Sequence, residues 1–201
     1  MQGFASVTSR AYPVPITNCD TDQLVPARFL SRERARGFGG QLFHDLRRDA
    51  NGQPIADFPL NEPAYAGAQI LLAGANFGCG SSRESAVWAL ADFGVRVVIA
   101  PSFGDIFYGN CFKNGLLALV LPIERVQQLL ALCADEPATT LTVDLPSQTV
   151  SASDGGTDSF KVDPMRKQLL LSGMDEIQYT LASMPELMRF EAAYDSHHAW
   201  L

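Results

Sequence analysis

The hydrophobic residues of this chain come in short bursts, and the spacing between bursts changes along the sequence. Ala68-Gln-Ile-Leu-Leu-Ala73, Val95-Arg-Val-Val-Ile-Ala100 and Leu116-Leu-Ala-Leu-Val-Leu121 are nearly continuous apolar runs of strand length. That is the pattern of strands buried on both faces. Between them the period lengthens. Ser85 to Phe93, closed by Gly94, and Asp105 to Asn114, stopped by Gly115, read as helices, because a glycine just past the last turn takes the left-handed conformation that ends one. Ile123 to Cys133 sets Val126, Leu129, Leu130 and Cys133 at helical spacing, a core-facing stripe. Strands alternating with helices predict βαβ units.

The flanks read differently. Phe4 to Ile16 is mildly β-like, and Pro13 and Pro15 predict a strand near a sheet edge, since proline donates nothing to a ladder. Asn18-Cys-Asp-Thr-Asp22 reads as an acidic, turn-rich loop, and Pro26 as the opening of a short helix through Leu30. Ala50 to Pro63 has no period and reads as a surface loop. Leu141 to Leu145, Gln148 to Ala152 and Thr157 to Val162 read as short strands, the last two joined across Gly155-Gly156. Asp163-Pro164 is an N-cap and first position for a helix to Ser172, and Ser183-Met-Pro-Glu186 a capping box for a last helix through Tyr194. The expectation is one α/β domain over residues 1–201, with a mixed or parallel sheet; the strands of 139–162 form an antiparallel appendage or extend that sheet.

Composition narrows the function classes. A net charge of −7 argues against general nucleic-acid binding, which needs a basic footprint. No apolar run approaches the roughly 18 residues of a membrane span, and Met1-Gln-Gly-Phe-Ala-Ser-Val-Thr lacks the features of a signal peptide; a cytoplasmic protein is expected. Cys19, Cys79, Cys111 and Cys133 have no C-x-x-C spacing, so zinc and iron–sulfur motifs are absent and buried free thiols are the default. His44, His197 and His198 do not make a metal set. Six of the 15 Lys and Arg residues fall between Arg28 and Arg48, around the break Gly37-Phe-Gly-Gly40. They form either a solvated face or a basic loop for a polyanionic small molecule or acidic partner, for which guanidinium forks are suited.

The stretch richest in chemistry is Gly74-Ala-Asn-Phe-Gly-Cys-Gly-Ser-Ser-Arg-Glu84, between the first apolar run and the first helix. Glycines let backbone approach a ligand, and a helix start offers unpaired N–H groups and a positive dipole end, which together make an anion site. Ser81 and Ser82 either cap the helix or work as activated hydroxyls, with the turn's N–H groups and Arg83 stabilising an alkoxide. The pattern is neither G-x-S-x-G nor a nucleotide P-loop.

Asn76-Phe-Gly-Cys-Gly-Ser-Ser-Arg-Glu84 with Trp88-Ala-Leu90, Val97-Val-Ile-Ala-Pro-Ser-Phe103 and Asp105-Ile-Phe-Tyr-Gly-Asn110 closely resembles the small-subunit family of bacterial 3-isopropylmalate dehydratases, which matches the swivelling domain of aconitase. Asp20-Thr-Asp22, Arg36-Gly-Phe-Gly39 and Gly173-Met-Asp-Glu-Ile177 extend the resemblance over nearly the whole chain. It implies a three-layer swivelling β/β/α domain with helices on both faces of the sheet. It also implies a dehydration and rehydration of a malate derivative, a small di- or tricarboxylate. A large partner subunit, in a heterodimer or heterotetramer, would carry a [4Fe-4S] cluster, with no cofactor bound by this chain. Ser81 would be the base, Arg83 would bind a substrate carboxylate with help from Ser82 and Gly80, and Asp22 would match an acidic site position. Arg32, Arg34 and Arg36 would lie on the loop that meets the substrate's variable group. Two departures stand out: Ser85 occupies the place of a usual His, and that loop is more basic than an isopropyl group needs. They leave open a citraconate, dimethylmalate or homoaconitate type of substrate, a stand-alone anion-binding module, or a non-catalytic paralogue.

Overall fold

The computed structural model describes residues 3–80, 83–153 and 155–198. Strand β1 (Ser6–Val14) is followed by the short helices α1 (Thr21–Leu24) and α2 (His44–Arg47). Then come β2 (Ile70–Ala73), α3 (Glu84–Phe93), β3 (Val97–Ala100), α4 (Asp105–Lys113), β4 (Leu117–Val120) and α5 (Ile123–Asp135). The chain closes with β5 (Thr140–Asp144), β6 (Thr149–Ala152), β7 (Thr157–Ser159), α6 (Pro164–Ser172), α7 (Glu176–Ala182) and α8 (Met184–His197). The strands make one seven-stranded sheet in the order β4-β3-β2-β1-β5-β6-β7. Its β1–β4 half is parallel and its β5–β7 half antiparallel.

The two halves follow from their sequences. β2 and β3 bury every residue, so only continuous apolar runs serve there. In β5 and β6 buried and half-buried positions alternate, as in a sheet covered on one face. Successive βαβ crossovers in one direction are right-handed and place α3 and α4 on the same face. Neighbouring residues of β1 show that α5 takes the other face. The Tyr12 ring meets Phe93 of α3 with centroids 5.9 Å apart, while Pro13, on the opposite side of the pleat, shares a cavity with Leu130, Ala131 and Ala134 of α5.

β1 corrects one expectation. It is the central strand, although it carries Pro13. Its ladder with β5 runs from Ser6 to Arg10 and its ladder with β2 from Ala11 to Val14. Beyond Arg10 the strand therefore has one laddered side, and a residue without an N–H fits the open one.

Local signals explain the remaining differences. Asn18 to Asp22 is only partly a loop, because Asp20 caps α1 through a reciprocal capping box with Gln23. Pro26 stands outside the 3₁₀ turn Ala27–Phe29 instead of opening a helix. Asp163 does cap α6, accepting from the Met165 and Arg166 N–H groups, and Gly173 ends it at φ 70°. Ser183 does not cap the last helix: with φ −94° and ψ 6° it also ends α7, and an N-cap needs extended backbone. The capping box of that region is Asp175 with Gln178, opening α7, an element the sequence reading passed over. Among the described residues no helix is long and apolar enough to cross a membrane.

Candidate functional site

The glycine turn leaves the carboxyl end of β2 at Ala73, beside the carboxyl ends of β1 at Val14 and β3 at Ala100. In open α/β sheets such strand ends hold the ligand crevice. Three loops are tied together there. The Asn18 N–H donates to Ala75 O at 2.8 Å, Gly78 N–H to Cys19 O at 2.7 Å and Thr21 N–H to Cys79 O at 3.0 Å. On the other side Phe77 N–H donates to Ser102 O at 3.0 Å and Gly104 N–H to Phe77 O at 2.9 Å. The Ser102 hydroxyl also accepts from Asn76 N–H at 2.8 Å.

This contact distance is what the glycines are for. A Cβ on Gly74 would sit 2.5 Å from Ile16 O, and one on Gly104 would sit 2.6 Å from Gly78 O. Gly78 combines a φ of 72° with a ring edge, since its Cβ would fall 2.2 Å from Cγ of Phe107. Gly78→Ala is expected to destabilise the fold by about 3 kcal/mol, from left-handed strain plus overpacking, read as a lower urea midpoint with an unchanged slope. Gly109→Ala, inside α4 with nothing within 4 Å of the added carbon, is the control; it is expected to stabilise by about 0.5–1 kcal/mol.

Arg83 stands at the N-cap of α3 with extended backbone. Its Nη1 donates to Oδ1 of Asp22, in the first turn of α1. The pairing crosses the turn and joins two of the residues singled out from sequence. A cavity of about 230 Å³ opens beside it, lined by Gly78, Gly80, Arg83, Gly104 and the first turn of α4. The Arg83 side chain does not cap α3, and Gly104 has no side chain to cap α4, so the cavity lies against two helix starts whose N–H groups favour an anion. Asp105 sets one negative charge on its rim. Ser81 and Ser82, the expected base and its helper, lie outside the described residues.

The rest of the motif is structural. Glu84 accepts from Nδ2 of Asn114 at 2.8 Å, and Asn114 in turn accepts from the Trp88 indole at 3.0 Å, which ties the start of α3 to the end of α4. Ser85 is buried, and its hydroxyl has no partner among the described residues. Ser102 and Gly104 were not named as site residues from sequence; the available signal was Pro101-Ser-Phe-Gly104 at the end of an apolar strand.

Arg32, Arg34 and Arg36 are not brought to the Asp22–Arg83 pair. Arg34 makes a bidentate pair with Asp92, at 2.7 and 2.9 Å, in the last turn of α3. Arg32 donates to Gly37 O and Arg36 O, and Arg36 lies 3.4 Å from Glu33. Arg32 and Arg36 line a separate cavity that shares no residue with the one at the turn.

The cysteines do not fit a cluster site in this chain. Cys19, Cys111 and Cys133 are buried. Burial, with Asp20 and Cys79 adding to it, pushes the Cys19 thiol up to about 12, and burial raises Cys111 well above its ordinary value. Among the described residues no group of three His, Cys, Asp or Glu side chains could hold a metal ion.

Comparison with known proteins defines the class first. A family model described as the aconitase C-terminal domain matches residues 1–124, and one described as LeuD_N matches residues 127–164. The chain is 49% identical to the 3-isopropylmalate dehydratase small subunit of Dinoroseobacter shibae. It is 50% identical to that of Jannaschia sp. and 49% to that of Parvibaculum lavamentivorans. Each match spans 100% of both chains. A crystal structure of 3-isopropylmalate dehydratase from Methanocaldococcus jannaschii superposes with a TM-score of 0.63 at 24% identity, covering 93% of this chain and 99% of that one. The chain belongs to the 3-isopropylmalate dehydratase small subunit family.

Proposed function

We propose that this chain is the smaller half of a divided hydro-lyase site. The assembled enzyme interconverts 2-isopropylmalate and 3-isopropylmalate by dehydration to 2-isopropylmaleate and rehydration, a step of leucine biosynthesis. The observation that carries the reading is the cavity between two helix starts, with Arg83 at its wall and Asp22 holding the guanidinium. A malate derivative brings carboxylates to such a place. Arg83 takes one of them, exchanging Asp22 for a substrate carboxylate of the same charge and shape.

Ser81 removes the proton from the carbon next to that carboxylate. Its alkoxide is favoured by the helix start and by Arg83, the two features that lower the cost of negative charge there. Ser82 and the open backbone at Gly80 complete the contacts on this side. Asp22 is 51% exposed at its side chain while Arg83 is 20% exposed, so the aspartate is the partner free to swing away.

A family of small subunits implies a large one. In this reading the large subunit holds the [4Fe-4S] cluster, which supplies Lewis acidity for the leaving hydroxyl; the residues of this chain bind, orient and move the proton. The pair works in the cytoplasm.

Reconstitution tests this. The full chain mixed with its cluster-bearing large subunit is expected to produce the absorbance of the unsaturated acid from either isopropylmalate, with no turnover by either chain alone. Calorimetry on this chain alone is expected to show weak binding of a malate derivative. Micromolar binding without the partner that is lost in Arg83→Gln, with no turnover when the partner is present, would instead indicate a stand-alone anion module.

A further inference from the structure

A second concentration of positive charge lies at the other end of α3. Helix α3 spans 10 residues, about 15 Å at 1.5 Å per residue, and Arg83 stands at its start. At its last turn Asp92 and Phe93 wall a cavity of about 640 Å³ together with Arg32, Arg36, Arg47 and Arg48. Asp92 is the one carboxylate among the lining residues, and it is already engaged. Its two oxygens accept from Arg34, and Oδ2 also accepts from the Phe38 N–H at 2.7 Å. Four arginines therefore line a cavity whose own carboxylate is taken, with Glu33 lying 3.4 Å from Arg36 outside the lining, in a chain of net charge −7.

Arg47 is the informative member. Its Nε donates to Oδ1 of Asn61 at 3.1 Å, and its guanidinium lies 5.0 Å from the centroid of the Phe93 ring. The side chain is thus fixed on two sides. Its Nη1 is nevertheless buried and has no hydrogen-bond partner among the described residues. A buried charged donor left unmet is costly, and the residue that carries it lines the cavity with its side chain already fixed. Burial, and then the neighbouring Arg48, hold its pKa below the ordinary arginine value, as expected where a counter-anion is missing. Arg32 and Arg48 are held too, through carbonyls of Gly37, Arg36 and Gly52, and each keeps donor capacity beyond those bonds.

We propose that this cavity is a second anion site, distinct from the turn, for a small molecule bearing two or more carboxylate or phosphate groups. Planar guanidinium forks match both groups bidentately, and the volume suits a metabolite. The site does not depend on the glycine turn being catalytic. Its ligand would grip the 32–41 loop and the last turn of the helix whose first turn carries Arg83, so occupancy is placed to report on the reacting site.

Titration calorimetry of the full-length chain at low salt tests it, with two probes. Tricarballylate carries three carboxylates and no hydroxyl to lose, and inorganic pyrophosphate represents the phosphate class; their ranking separates the two sources. Saturable one-to-one binding of at least one probe is expected. Its dissociation constant should rise tenfold or more in Arg47→Gln and in the double variant Arg36→Gln/Arg48→Gln, and stay within twofold in Arg83→Gln. Should Arg47→Gln fail to fold, the double variant carries the test, because Arg36 is exposed and Arg48 half-buried. The proposal is overturned if the folded wild-type chain binds neither probe, if binding survives the double variant, or if it is lost in Arg83→Gln alone.

Discussion

Replacing Ser81 by alanine is expected to lower kcat of the assembled enzyme by about 10³-fold, with KM changed only a few-fold, because general acid–base groups contribute roughly 10²–10⁴ and act in the transition state. Of the carboxylates at the turn, Asp22 is held by the Arg83 guanidinium. His44, His197 and His198 are committed elsewhere: His44 pairs with Asp45 at 2.8 Å, and the two terminal imidazoles meet carbonyls of α8 at 2.9 Å each. A drop in kcat with stability intact would assign the hydroxyl to chemistry; a drop only in stability would assign it to the fold.

The second large effect is Arg83→Gln. Removing one partner of a desolvated charge pair costs roughly 2–5 kcal/mol in affinity, so kcat/KM should fall on the order of 10²-fold or more, with a rise in KM as part of the loss. Arg83→Lys keeps the charge but not the planar fork, and should recover only part of it. Stability should hardly move. The Asp22 partner is half-exposed, and ion pairs of that kind are worth at most about 1 kcal/mol. Steady-state kinetics of the reconstituted complex, beside a melting curve of each variant, separate the two quantities.

How much of this could be read without coordinates depends on how local each determinant is. The β2–α3–β3–α4–β4 run was legible because each element declares itself within a few residues, by an apolar run or a glycine stop. Gly94 at φ 107° and Gly173 at φ 70° end their helices as their positions implied. The antiparallel strands alternate as a one-sided sheet must, so their addition to the same sheet was one of two readings open from sequence. Pro13 misled because the rule about edges concerns a residue's own two neighbours, and β1 changes partners along its length. The fate of the loop arginines was illegible for a different reason. Arg34 finds Asp92 across 58 residues of sequence, and no local pattern announces which of many carboxylates a mobile guanidinium will meet. The Asp22–Arg83 pairing spans 61 residues. Arg83 was named from the turn itself and Asp22 from family resemblance, yet their contact needed the three-loop assembly at the strand ends to be seen.

The same assembly holds the turn in place. Hydrogen bonds from two flanking loops fix its backbone, and the helix starts it feeds stay uncapped by their N-cap side chains. Rigidity on one side and open N–H groups on the other are what a preorganised carboxylate site requires.

The most direct measurement is a crystal structure of this chain assembled with its large subunit and the unsaturated acid. A carboxylate of that acid is expected on the Arg83 guanidinium, with Asp22 displaced and the Ser81 hydroxyl within hydrogen-bond reach of the carbon that loses its proton. An acid bound without contact to residues 78–83, with the Asp22–Arg83 pair intact, would contradict the assignment.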